Sequence, residues 1–206
     1  MNKISVVGLG PGHPDYISPR AKEVIKESEI IIGGKRNIES INTNKKEVHL
    51  INSNLNKIID YIKKNYNKKK IAVIVSGDTG FYSLLKFLKR YIESNKIEVI
   101  PGISSMQYMF SKIGETWDDA YISSLHGRKE DFIKMVKDYK KVGFLTDNKL
   151  TPNKISEKLL KNNLNNRTVY VGENLSYDNE KITKGSPKKI SKLKDFNMCV
   201  VVIIDD

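Results

Sequence analysis

Five short runs rich in Ile and Val occupy the first half of the chain: ISVVG (4–8), IIIGG (30–34), EVHLI (47–51), IAVIVSG (71–77) and IEVIPG (97–102). Between them, apolar residues recur every three or four positions, as with Leu55, Ile58, Ile59 and Ile62, and again with Phe81, Leu84, Leu85, Leu88 and Ile92. That spacing places them on one face of a helix. Successive apolar residues in a strand mean burial on both faces, so the alternation predicts a mostly parallel sheet covered by helices on each side. The pattern changes after about residue 113. GETWDD (114–119) reads as a linker, and a second set of strands follows: AYISSL (120–125), KVGFLTD (141–147), TVYVGEN (168–174), KITKG (181–185) and MCVVVIID (198–205). Helices are expected over 128–139 and 153–162. The last two strands are expected to pair antiparallel. The reading is therefore an α/β chain of two domains, 1–113 and 114–206, the second smaller with a mixed sheet. A ligand cleft is expected between them.

Composition narrows the class. The chain has 206 residues, 39% of them hydrophobic, which is enough for one large core or two small ones. No apolar run approaches the ~20 residues of a membrane span, and the N-terminus lacks the apolar core of a secretion signal. One cysteine, Cys199, excludes an intrachain disulfide and a multi-cysteine metal site. His13 and His49 have no partner at ligand spacing, so no protein-bound metal is expected. The expected location is the cytoplasm. The formal charge of +12 suits a nucleic-acid binder, a substrate rich in carboxylates, or solvated faces of a chain biased toward Lys, Asn and Ile. Its positives are mostly lysines with few aromatics among them, which weighs against nucleic acid.

Three glycine-bearing loops carry the chemistry. GLGPGH (8–13) follows the first strand, but Pro11 and Pro14 remove backbone donors where a pyrophosphate would need them. The acidic residue of a dinucleotide fingerprint is missing after the second strand, and no Walker A pattern exists. SGDTGFYS (76–83) follows a buried strand and is expected to enter a helix directly. PGISS (101–105) follows the next strand, with Ser104 and Ser105 opening a helix. In a parallel sheet such loops leave the same edge, where ligands bind. Taken singly, each reads first as a tight bend or a helix cap; three on one edge favour a site.

Together, VGLGPG, SGDTGFYS and PGISS resemble the tetrapyrrole (corrin/porphyrin) methyltransferases, over essentially the whole chain. SSLHGR (123–128) and VGENLSYDNEKI (171–182) resemble the branch that methylates ring carbon C-5 of cobalt-precorrin-7, late in cobalamin synthesis. The G-D-T-G spelling also suits that branch; it departs from the uroporphyrinogen methylases and from the ribose methylases acting on RNA. The resemblance implies the two-domain class III fold, with S-adenosylmethionine as cofactor and S-adenosylhomocysteine as product. It assigns Pro11, Gly77, Asp78, Thr79, Phe81, Tyr82, Ser104 and Ser105 to the cofactor, with Leu145, Thr146 and Gly172 closing over the adenosine. Gly10, Gly12, His13, His126 and Arg128 fall on the tetrapyrrole side.

In-line transfer from a sulfonium needs alignment rather than a protein nucleophile. Asp78 is placed near the sulfonium, and His126 is the residue suited to proton handling or substrate contact. Arg128 can pair bidentately with substrate carboxylates. A homodimer and a separate C-15 methyltransferase/decarboxylase are the expected partners, with no nucleic acid and no membrane. Another ring position, an RNA-modifying protein and a dinucleotide-dependent oxidoreductase are the rival readings.

Overall fold

The computed structural model describes residues 3–52, 54–126 and 131–205. The chain divides into two compact units, Met1–Ser104 and Ser105–Asp206.

The first unit runs β1 (Ile4–Gly8), α1 (Pro19–Glu27), β2 (Ile30–Gly33), α2 (Lys35–Glu39), β3 (Glu47–Leu50), α3 (Leu55–Asn65), β4 (Ile71–Val75), α4 (Leu85–Leu88) and β5 (Ile97–Ile100). All five strands are parallel, in the order β3-β2-β4-β1-β5. Alternate residues of the strands feed two cores. Ile4, Val6, Ile32, Ile71 and Val73 pack with Ile58, Ile59 and Ile62 of α3 on one face. Val7, Ile31, Ala72 and Ile74 pack with Ala21, Val24 and Ile25 of α1 on the other. Both faces are dry at β1, β2 and β4, which is why those strands read as unbroken apolar runs. Helix starts follow capping chemistry: Ser18 Oγ accepts from Ala21 N at 3.2 Å ahead of Pro19, and Asn54 Oδ1 accepts from Lys57 N at 3.3 Å.

One expected helix is cut to a single turn. The stretch from Thr79 to Leu84 turns, and only Leu85–Leu88 is helical. The Ser83 hydroxyl donates to the Thr79 carbonyl and accepts from Leu85 N at 3.1 Å, and Tyr82 sits at φ +51°. Such side-chain bonds compete with helical ones. Leu84, Leu85, Leu88 and Ile92 still pack on the core, so the helical spacing in the sequence reports burial here and not a continuous helix.

The second unit runs α5 (Ser105–Ile113), β6 (Tyr121–Ser124), α6 (Phe132–Asp138), β7 (Lys141–Leu145), α7 (Pro152–Lys161), β8 (Arg167–Glu173), β9 (Lys181–Gly185), α8 (Pro187–Ile190) and β10 (Cys199–Asp205). Its sheet is mixed, in the order β6-β7-β10-β8-β9. Phe132, Ile155 and Leu159 pack with Phe144, Val171 and Val201 on one face. Two features differ from the sequence reading. The expected β9–β10 pair does not form: β9 pairs antiparallel with β8, and β10 lies at the centre between β7 and β8. Cys199–Asp205 is an almost wholly buried apolar run, which suits a central strand and not an edge. The division also falls at Ser104/Ser105 and not after residue 113. Met106 and Met109 of α5 reach Gly143 and Gly172 of the second sheet. GETWDD is tied to β7 within the same unit, Lys141 Nζ lying 3.3 Å from Glu115 and 3.2 Å from Asp119. Among the described residues no helix is long and apolar enough to cross a membrane.

Candidate functional site

In the first unit β1 lies between β4 and β5, with Gly8 in register with Val75 and Val7 with Ile100. The loops that leave these three strands therefore share one sheet edge, and they touch. A methyl group at Gly8 would lie 2.7 Å from both Gly102 N and Gly77 O, and one at Gly102 would lie 2.8 Å from Gly8 C and closer still to Gly77 O. Real side chains do not occupy such spaces, so these glycines are required by backbone against backbone. The GLGPG, SGDTG and PGISS loops converge on a single patch.

Five amides of that patch are engaged internally. Gly77 N donates to Gly10 O at 2.8 Å and Gly10 N to Gly77 O at 3.2 Å, a reciprocal bridge between the two loops. Leu9 N donates to Val75 O at 2.9 Å. Asp78 holds two more: its Oδ2 accepts from Gly80 N at 2.5 Å and its Oδ1 from Gly102 N at 3.4 Å. Asp78 thus ties the second loop to the third. Thr79, Ser104 and Pro11 of the same three loops are buried. Ser105 opens α5, in the second unit. Phe81 and Tyr82 stack edge to face at 4.8 Å, with Tyr82 exposed. Gly12 and His13 continue the first loop. His13 Nδ1 accepts from Asp15 N at 3.2 Å and caps a short 3₁₀ turn over Pro14–Tyr16.

Two residues of this edge escaped the sequence reading. Arg36 and Asn37 follow the end of β2, and Arg36 Nη2 donates to Ser76 Oγ at 3.1 Å while Ser76 Oγ donates to Asn37 Oδ1 at 2.8 Å. A guanidinium is thereby held beside the SGDTG loop. The only signal was KRN directly after a glycine-ended strand, which leaves by the same edge as the other loops.

The second unit gathers its own set. Leu145 of β7 and Gly172 of β8 both lie opposite Val200 of β10, in one row across the sheet. Thr146 Oγ1 donates to the Cys199 carbonyl at 2.7 Å and lies 3.2 Å from Cys199 Sγ. Burial pushes the Cys199 thiol up, partly opposed by the Thr146 contact. Glu173, next to Gly172, is buried and accepts from Asn197 N at 3.0 Å. Leu125 N donates to Leu145 O at 2.9 Å, which brings the following residue, His126, to the same strand ends. His126 is exposed, its backbone N donates to Ser124 Oγ at 3.3 Å, and its ring has no polar partner among the described residues. Arg128 lies outside the described residues. No group of His, Cys, Asp and Glu among the described residues is arranged to hold a metal.

Chemically, the first patch offers carbonyls, a carboxylate and glycine Cα faces, with the Leu9, Gly10, Gly77, Gly80 and Gly102 amides already bonded. That arrangement suits a cation better than a phosphate, because an anion cradle needs free amides.

Known proteins agree with this architecture. The chain is 35% identical, over 98% of its length and 97% of the relative's, to the "Probable cobalt-precorrin-7 C(5)-methyltransferase" of Methanocaldococcus jannaschii. It is 29% identical to the cobalt-precorrin-7 C(5)-methyltransferase of Salmonella typhimurium, over 98% of this chain and 99% of that one. The fold also matches a uroporphyrin-III C-methyl transferase from Thermus thermophilus solved with S-adenyl homocysteine, with a TM-score of 0.78, 13% identity and coverage of 98% and 97%. Residues 3–191 match the tetrapyrrole (corrin/porphyrin) methylases, and the chain belongs to that family.

Proposed function

We propose that the chain is an S-adenosylmethionine-dependent C-methyltransferase of cobalamin biosynthesis that methylates C-5 of cobalt-precorrin-7. The observation that carries the reading is the state of the glycine patch. Its Leu9, Gly10, Gly77, Gly80 and Gly102 amides are bonded within the protein, and the Asp78 carboxylate lies among them. This environment favours a sulfonium over a pyrophosphate, and the bare glycine faces admit close approach of a ligand to the main chain. When bound, the cofactor supplies a methyl group already activated for displacement. The protein's part is then binding, alignment and exclusion of water.

In this reading Asp78 fixes the second and third loops relative to each other and lends negative charge. Pro11, Thr79, Phe81, Tyr82 and Ser104 shape the cofactor site, with Ser105 beside Ser104 in sequence. Leu145, Thr146 and Gly172 take the adenosine; the row shared by Leu145 and Gly172 and the anchoring of Thr146 on Cys199 support that role. Arg36, held at the sheet edge by Ser76, joins Gly10, Gly12, His13, His126 and Arg128 on the tetrapyrrole side, where substrate carboxylates call for cations. The same reading carries cytoplasmic action, a homodimer, and a separate C-15 methyltransferase/decarboxylase as functional partner.

Calorimetric titration with S-adenosylmethionine, NADH and a short RNA at two salt concentrations tests the class. Saturable binding of the first alone is expected, and binding of NADH or RNA in its place overturns it. Incubation with methyl-labelled cofactor and cobalt-precorrin-7, followed by NMR, tests the ring position. The label is expected at C-5, and a label at another carbon removes that assignment.

A further inference from the structure

A pocket of about 410 Å³ lies in the first unit, along α1 and beneath the segment that leads into β3. That volume is in the range of small-molecule sites, ~300–1,000 Å³. Its apolar lining includes Ile17, Ile25 and Ile41, and its cationic lining is Lys22, Lys26 and Lys46. Among the described residues no acidic side chain lines it.

Among the described residues no acidic side chain pairs with any of the three lysines. Lys22 and Lys26 stand four residues apart on one face of α1, a spacing at which like charges repel. Neither side chain has a polar partner among the described residues. The acids of the same helix are engaged elsewhere: Glu23 pairs with Arg20 at 2.6 Å and Glu27 with Lys70 at 2.9 Å, which holds the Glu27 carboxyl below the usual carboxylate range. Lys46 Nζ donates to the carbonyls of Lys26 at 2.8 Å and Ser28 at 2.6 Å, so it is fixed in place at the end of α1 without losing its charge. An apolar floor under three lysines lacks one component: a negative charge on an apolar body.

We propose that this pocket binds a small organic anion, its apolar body against Ile17, Ile25 and Ile41 and its carboxylate or sulfonate toward Lys22, Lys26 and Lys46. The site is distinct from the glycine patch and does not depend on the methyl-transfer reading. Its occupant touches the turn that buttresses that patch, since Pro14 and Ile17 line the pocket and a methyl group at Gly10 would lie 2.9 Å from the Tyr16 carbonyl.

Titration of the full chain with naphthalene-1-sulfonate, followed by methyl chemical shifts, tests the proposal. Saturable 1:1 binding with Kd of about 1 mM or tighter is expected, with shifts at Ile17, Ile25 and Ile41. The neutral isostere 1-naphthalenemethanol and inorganic phosphate are each expected to bind about tenfold more weakly, lacking the charge or the apolar body. The Lys22→Gln/Lys26→Gln variant should lose affinity about tenfold with an unchanged unfolding midpoint. Asn44→Asp, which places a carboxylate in the lining, should weaken binding without touching a lysine. Equal binding of the neutral isostere, undiminished affinity in the lysine variant, or shifts confined to other methyls overturns the site.

Discussion

The glycines of the two units solve opposite problems. In the first unit Gly8 and Gly102 face backbone: a methyl group there meets amide and carbonyl atoms that strand pairing fixes in place. In the second unit Gly143 and Gly172 face the thioethers of Met106 and Met109, each 2.6 Å from where a methyl group would stand. Both methionines are fully buried, yet an unbranched side chain can shift its terminal atoms where a paired strand cannot. The same residue type therefore marks a rigid junction in one unit and an adjustable helix-on-sheet contact in the other.

The largest effect expected from this contrast is at the junction. Gly102→Ala should cost more than ~3 kcal/mol, because overpacking against backbone has no cheap relief. Scanning calorimetry should then show a midpoint lowered by about 10 °C, or no folded protein at all. A normal midpoint would break the comparison. Asp78→Ala comes next. It leaves two loop amides without their acceptor, and S-adenosylmethionine affinity or turnover should fall roughly 10- to 100-fold, with a smaller change in stability. Wild-type affinity and rate would take Asp78 out of the site. Gly172→Ala should be milder, about 1 kcal/mol and 2–4 °C, as Met109 and Leu175 give way. A loss equal to that at Gly102 would mean that the second contact is no more adjustable than the first.

The smallest expected effect sharpens the contrast at the sheet edge. Glu47 on β3 accepts from Lys69 Nζ at 2.8 Å, from the Tyr61 hydroxyl and from His49 Nε2 at 2.9 Å. Lys69 first, then Tyr61 and His49, hold its carboxyl down to about 2. Burial, then the Glu47 carboxylate, pushes Tyr61 up to about 12. Because the folded value of Glu47 is depressed, its contribution is present above the ordinary carboxylate range near 4.5 and is lost as pH falls from there through about 2. The difference in unfolding midpoint between the wild type and Glu47→Gln should shrink over that window. A difference that stays constant would detach β3 stability from this charge cluster.

How much of this was written locally in the chain depends on the range of the interaction. β1 and β9 begin and end where their residues indicated, β1 because a dry strand declares itself by composition and β9, a half-exposed edge strand, because glycine and short polar turns bound it. The three glycine loops were legible as a set because parallel strands send their loops to one edge. The order of the second sheet was not, because β10 pairs with strands that end 25 or more residues earlier, and nothing in MCVVVIID names its neighbours. The 79–84 turn escaped because Ser83 bonds replace helical ones without disturbing the leucine spacing. Of the candidate site, Asp78 was legible as a residue but not as a tie between loops. Its contact with Gly102 spans 24 positions. Arg36 was lost in a lysine-rich background, where one more cation carries no signal.

The mutual bridge of Gly10 and Gly77 also bears on how this end of the first unit breathes. Two amides that answer each other, at the ends of paired strands, are released together when that bridge opens. Their deuterium uptake should follow one shared opening, with Leu9 and Gly102 exposed in the same event. A bound ligand that bears on any one of these loops would then slow exchange in all of them.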